Sequence, residues 1–247
     1  MKQKILLLVL ALCLALNVCA YAQPVEETAV YDSAAYVVET PAAGTIASVD
    51  ELPWNLVLVN ADHAVPEDWE CILMDLSNGR RIDRRMYPEL QKMFDDCRAA
   101  GLKIMVNSGY RSYEDQKNTL VNRYNRYKNQ GMTAEQAQEE ALKWVAYPGY
   151  SEHHTGIAVD ITSSNTEVCS NDRTWTWLKA NCAKYGFIWR YPGEKTHITG
   201  ISDEPWHFRY VGVEAATYIM GKGICFEEYL FEMYGIPYEQ DVLENAG

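Results

Sequence analysis

Ser151-Glu152-His153-His154-Thr155-Gly156-Ile157-Ala158-Val159-Asp160 is the densest cluster of polar side chains set beside an apolar run in this sequence. An extended chain sends successive side chains to opposite faces. Gly156, Ala158 and Asp160 then share one face of a strand, while Ile157, Val159 and Ile161 share the other. The apolar face can be buried, and Asp160 looks over small residues that leave room for a metal and a peptide backbone. His153 sits in the turn before the strand. Hydrolytic zinc sites take three protein ligands, from histidines and carboxylates, and keep a fourth position for water. Singly, His153 reads as a loop histidine and Asp160 as a strand-end carboxylate; their weight comes from the segments they meet.

The first of those segments is Glu204-Pro205-Trp206-His207-Phe208-Arg209-Tyr210. If it is extended, His207 and Arg209 point away from Trp206 and Phe208. Pro205 breaks strict alternation, and a bend there lets Glu204 and His207 approach the same metal. Two histidines, an aspartate and a further glutamate form the set that metal-assisted hydrolysis needs: three groups hold the ion, and the fourth takes a proton from water. The second segment, Ser108-Gly109-Tyr110-Arg111-Ser112 with Tyr113 to Gln116, reads as a strand-to-helix junction. Peptide hydrolysis places negative charge on the carbonyl oxygen, and a carboxypeptidase also recognises a carboxylate. The permanently charged fork of Arg111 suits either task.

Outward from these segments, apolar spacing predicts a helix over residues 85–100, closed by Gly101, and a buried strand over 102–107. Further helices are expected near 112–130, 133–145 (with Thr133 and Gln136 as a capping box) and 174–185. Strands are expected at 156–162, 187–189 and 206–210. The chain beyond Val213 reads as helical with a break around Gly221–Gly223. Leu52 to Asn60 opens the folded part. Helices early and short strands later predict an α+β fold, with a small antiparallel sheet at its centre flanked by helices.

The first 22 of the 247 residues read as an export signal, with Lys2 and Lys4, an apolar run Ile5–Leu16, and Ala20-Tyr21-Ala22 as the cleavage pattern. That run is too short to span a bilayer. Residues 23–50 read as a flexible linker and 51–247 as the functional domain. The formal charge of −12 becomes −14 without the two leader lysines, which disfavours nucleic acid and anionic lipid as partners. Of seven cysteines, five remain after the leader. Cys169 and Cys182 flank one expected helix and form the expected disulfide. None has zinc-finger spacing. The chain is expected to be extracytoplasmic, secreted or tethered by an uncleaved leader, and monomeric.

Together, SGYRS at 108–112, SEHHTGIAVD at 151–160 and EPWHFRYVG at 204–212 resemble the VanY-type D-alanyl-D-alanine carboxypeptidases. The YGFIWRYP stretch at 185–192 is similar to theirs as well, and the resemblance runs from about Leu52 to Gly223. It implies a hedgehog-like zinc peptidase fold, one zinc ion held by His153, Asp160 and His207, and Glu204 as catalytic base. It implies that Arg111 holds the substrate and stabilises the tetrahedral intermediate, and that Gln116 and Ser151 line the substrate pocket. His154 stands where the family more often has glutamine or another polar residue. The family spacing selects His153 as the ligand and leaves His154 exposed or behind it. The implied substrate is the peptidoglycan stem peptide, with removal of its C-terminal D-alanine. Alternatives are LD-carboxypeptidase action on tetrapeptide stems, an endopeptidase, or a wall-binding module without catalysis.

Overall fold

The computed structural model describes residues 48–163 and 172–238. The expected leader, all but the last three residues of the expected linker, and Cys169 of the expected disulfide lie outside the described residues. Among the described residues Cys71, Cys97, Cys182 and Cys225 are free.

Two antiparallel sheets are described. Leu73–Asp75 (β1) and Arg81–Asp83 (β2) form a hairpin. Met105–Ser108 (β3), Ala158–Thr162 (β4), Phe187–Trp189 (β5) and His207–Tyr210 (β6) form a four-stranded sheet in the order β3-β4-β6-β5. Sequence reading anticipated the second sheet and not the first. The hairpin strands are only three residues long, too short to show a period, although Asn78-Gly79 marks their turn (Gly79 has φ 77°).

Tyr87–Ala99 (α1) forms because Leu90, Met93, Phe94 and Cys97 recur at helical spacing, and all four are buried. They pack under the sheet with Ile157, Val159, Ile161, Phe187 and Phe208. Truncating one such large side chain, for instance Phe208→Ala, costs about 3–5 kcal/mol. Tyr113–Asn129 (α2) starts at a Ser112/Asp115 capping box, and Ala134–Leu142 (α3) at the Thr133/Gln136 box that the spacing predicts.

The helix expected over 174–185 is two pieces, Arg173–Asn181 (α4) and a 3-10 turn at Cys182–Tyr185. Asn181 at the junction leaves helical geometry (φ −127°), and its side chain donates to the Trp177 carbonyl. Thr196–Thr199 (α5) is a single turn, and Val213–Lys222 (α6) and Phe226–Tyr234 (α7) are broken at Gly223, as expected. Ala215, Ala216, Ile219, Phe226 and Leu230 from these helices form a second core with Leu56, Leu58 and Ile188. The first core thus packs on one face of the sheet; on the other, Ile188 meets the second core beside the polar residues Arg209, Asp160 and His207.

Candidate active site

Cross-strand partners share a face of a sheet. In the register here Ser108 stands opposite Asp160, and Asp160 opposite His207. Three neighbouring strands thus place Ser108, Asp160 and His207 in one row, on the face that the alternation of β4 assigned to Asp160. His153 reaches the row from a 3-10 turn, Glu152–Thr155, which ends at Gly156 in the left-handed region (φ 73°). A side chain at 156 is doubly disfavoured, because a Cβ would also lie 2.5 Å from the Cys71 sulfur.

Nε2 of His153 lies 3.3 Å from Asp160 Oδ1, and Nδ1 of His207 lies 3.1 Å from the same oxygen. One donor atom from each of the three residues falls within 4.8 Å of the others, and all three residues are buried. The Nδ1–H of His153 donates to the Gly109 carbonyl at 2.7 Å, which leaves the Nε2 lone pair facing the centre. Burial, with Arg111 nearby, lowers the His153 pKa to about 4, so this ring is neutral. Burial works against charge on His207 too, but hydrogen bonds to Asp160 and Glu152 outweigh it and raise its pKa to about 9. Asp160 is held well below the usual carboxylate range, since His153 and Arg111 overcome the cost of its burial.

Of the adjacent histidines, only His153 presents a free nitrogen to this centre. His154 donates from Nδ1 to the Arg111 carbonyl at 2.8 Å and accepts the Gly149 amide on Nε2 at 3.0 Å. Both nitrogens are engaged, and His154 is not part of the buried trio. It is half-buried and stacked on Tyr113, where it braces the loop that carries Arg111.

Glu204 is buried at the bend before β6. Its amide donates to the Tyr191 carbonyl, and its own carbonyl accepts from Trp189 and from the His207 amide. The carboxylate reaches within 3.8 Å of His207 Nδ1. Burial, helped by Asp160, pushes its pKa up to about 8. Arg111 donates from Nε to Ser108 (2.8 Å), from Nη1 to Gln116 (3.3 Å) and from Nη2 to Asp160 (2.5 Å). Gln116 is itself fixed by donating to the Ala146 carbonyl. Ser151 is buried. The trio, Glu204, Arg111, Gln116 and Ser151 all border one cavity of about 200 Å³, so the structure gathers every residue singled out in the sequence.

A family model for VanY, D-alanyl-D-alanine carboxypeptidase, matches residues 79–213. A D-alanyl-D-alanine carboxypeptidase of Enterococcus faecalis is 47% identical over 198 residues, 78% of this chain and 74% of the relative. The chain belongs to the VanY D-alanyl-D-alanine carboxypeptidase family. Two solved VanY structures superpose with a TM-score of 0.69 at 48% identity, covering 72% of this chain. One is the vancomycin resistance D,D-pentapeptidase VanY, a mutant in complex with Zn(II), of which 99% is covered. The other is VanYB in complex with D-alanine-D-alanine, of which 98% is covered.

The chemistry of the VanY trio fits zinc: two imidazole nitrogens and one carboxylate oxygen form a common hydrolytic zinc set. Behind the trio lies a buried ionic network that sequence reading missed. His207 Nε2–H donates to Glu152 Oε2 at 3.2 Å, the carboxylate–histidine arrangement that orients metal-binding imidazoles. Glu152 Oε1 accepts from both Arg190 and Arg209 at 2.8 Å, and Arg190 forks onto Glu227 at 2.6 and 2.9 Å. Arg209 also donates to the Val57 carbonyl. Burial raises the Glu152 pKa, but the two guanidiniums and His207 prevail and hold it far below the ordinary glutamate range. Glu152, Arg190 and Arg209 each lie inside a VanY-like segment. The usable signal was a charge directly after the apolar strand Phe187–Trp189 (Arg190) and one inside β6 (Arg209); Glu152, in a polar turn, and Glu227 offered none.

Proposed function

We propose that this chain is a zinc-dependent carboxypeptidase that removes the C-terminal D-alanine from peptidoglycan stem peptides ending in D-alanyl-D-alanine. The observation that carries this reading is the buried His153–Asp160–His207 trio opening on the same cavity as Glu204 and Arg111. Bound there, zinc supplies a Lewis acid and an acidified water.

The chain's own groups do the rest. Glu204, held by its backbone at the bend, takes the proton of the attacking water and returns one to the departing amine. Its raised pKa suits both halves of that exchange near neutrality. Arg111 is pinned by Ser108, Gln116 and Asp160. Its terminal nitrogens each carry a second N–H, which can meet the oxyanion as it forms. Gln116 and Ser151 line the pocket for the peptide.

The work of such an enzyme lies outside the cytoplasm. Residues 1–22 serve as the export signal, with 23–50 as the linker, 51–247 as the peptidase domain and the monomer as the working unit. No helix among the described residues is long and apolar enough to cross a membrane. The test is mass spectrometry of pentapeptide and tetrapeptide stems incubated with the zinc-loaded protein. Loss of one D-alanine from the pentapeptide is expected. Preferential trimming of the tetrapeptide would instead make it an LD-carboxypeptidase, and absence of any cleavage would leave a wall-binding module.

A further inference from the structure

Gln116, Thr119 and Arg123 are spaced three and four residues apart on α2, so they share one face of the helix, and that face walls the active-site cavity. Arg123 lies seven residues beyond Gln116, about 10 Å further along the axis. Its guanidinium rests 5.6 Å from the centre of the Trp144 ring, and Trp144 stacks in turn on Trp206 at 6.4 Å. Both tryptophans border the same cavity. This aromatic shelf positions the cation through its ring face and uses none of its N–H donors. Among the described residues Arg123 makes no hydrogen bond and no ion pair. Arg111, the other arginine of the cavity, contrasts with it: each of its three nitrogens already has a partner.

A guanidinium on the cavity wall with its N–H donors unused is a site for an anion, and it offsets there the repulsion from the cavity's own carboxylates, Glu204 among them. We propose that Arg123, on its Trp144–Trp206 shelf, is a specificity-determining residue that binds a carboxylate of the substrate peptide. The two arginines divide the labour. Arg111, beside Asp160, serves the reacting carbonyl, and Arg123, close enough for its charge to reach Glu204, holds a carboxylate of the peptide. Either the terminal carboxylate or one carried upstream has the required chemistry. The inference rests on the peptidase reading but is tested by binding, which needs no turnover.

The experiment is calorimetric titration of zinc-loaded Glu204→Gln protein, with and without Arg123→Gln. The ligands are a pentapeptide stem, the same peptide with its terminal carboxylate amidated, and the same peptide with its upstream glutamate replaced by the carboxamide. Arg123→Gln is expected to weaken binding of the parent peptide about 10-fold or more. Zinc content and melting temperature should be unchanged, and Arg123→Lys should recover part of the loss. Amidating the carboxylate that Arg123 binds should produce the same loss with Arg123 present and no further loss in the Arg123→Gln protein. The amidated peptide that behaves this way identifies the carboxylate. Equal affinities with and without Arg123 would overturn the assignment, as would an undiminished preference for acid over amide in the variant. If the Arg123→Gln series behaves as expected while wild-type protein cleaves no peptide, the subsite stands and the peptidase reading falls.

Discussion

Glu152 Oε2 lies 3.2 Å from Nε2 of His207, and the opposite nitrogen of that ring faces Asp160 at 3.1 Å. One imidazole therefore connects the proposed metal centre to a buried carboxylate, and through it to two arginines and Glu227. The carboxylate fixes which nitrogen of His207 carries the proton, and so which one is free for the metal. Replacing Glu152 with Gln should weaken zinc binding about 10–100-fold, read by competition with a chelator. It also leaves Arg190 and Arg209 short of an anion in a dry interior, which should lower stability by about 3–5 kcal/mol in denaturant unfolding. Unchanged zinc affinity would mean that the contact does not orient the ligand.

Zinc binding should be proton-linked. His207 has its pKa raised to about 9 in the metal-free centre, so below pH 9 it is mainly protonated and must release that proton to bind the ion. His153, lowered to about 4, is neutral throughout this range and contributes no such dependence. Apparent zinc affinity should therefore rise with pH between about 6 and 8, by up to about tenfold per unit. Chelator competition at three pH values across that window measures it; a flat profile would show that His207 is not the proton-bearing ligand.

The adjacent histidines should separate cleanly. His153→Ala removes a donor and should abolish stoichiometric zinc together with activity. His154→Ala removes the brace between Gly149 and the Arg111 carbonyl, and should keep zinc while lowering kcat/KM about tenfold or more through misplaced Arg111. Elemental analysis of both purified variants reads the difference.

Gly156 is a test of the backbone that delivers His153. Alanine there meets left-handed geometry and the Cys71 sulfur at once. A loss of about 2 kcal/mol or more is expected in urea unfolding, whereas Gly79→Ala in the open hairpin turn should cost less, since nothing lies within 4 Å of its Cβ position.

Much of this site could be read from the chain because its parts are local. The alternation through Gly156–Ile161 fixes the face of Asp160, and the alternation at Trp206–Tyr210 fixes the face of His207. Both hold within the strands, from Ala158 and from His207 onward; Gly156, expected as the first strand residue on the face of Asp160, instead closes the preceding turn in left-handed geometry and faces Cys71. Arg111 was found from its strand-to-helix junction, and Ser112 does cap α2 there. What stayed hidden depends on contacts remote in sequence. Glu152 and Arg190 are 38 residues apart, and Arg190 and Glu227 are 37 apart. No periodicity reports a pairing of that kind. His154 illustrates the same limit, since its burial comes from Gly149 and Arg111 folding around it. The β1–β2 hairpin escaped because its strands are too short for a pattern, and the 182–185 turn because helical spacing continues through a backbone that does not.

The role of Glu204 tests the account most directly. It stands at the bend where a buried carboxylate reaches the metal trio without belonging to it, so it should be needed for turnover and dispensable for the ion. Purified Glu204→Gln, assayed side by side for zinc content and for D-alanine release from a pentapeptide stem, should retain one zinc per chain with kcat lowered about 10²–10⁴-fold. A zinc-loaded variant that releases D-alanine at the wild-type rate would contradict the mechanism.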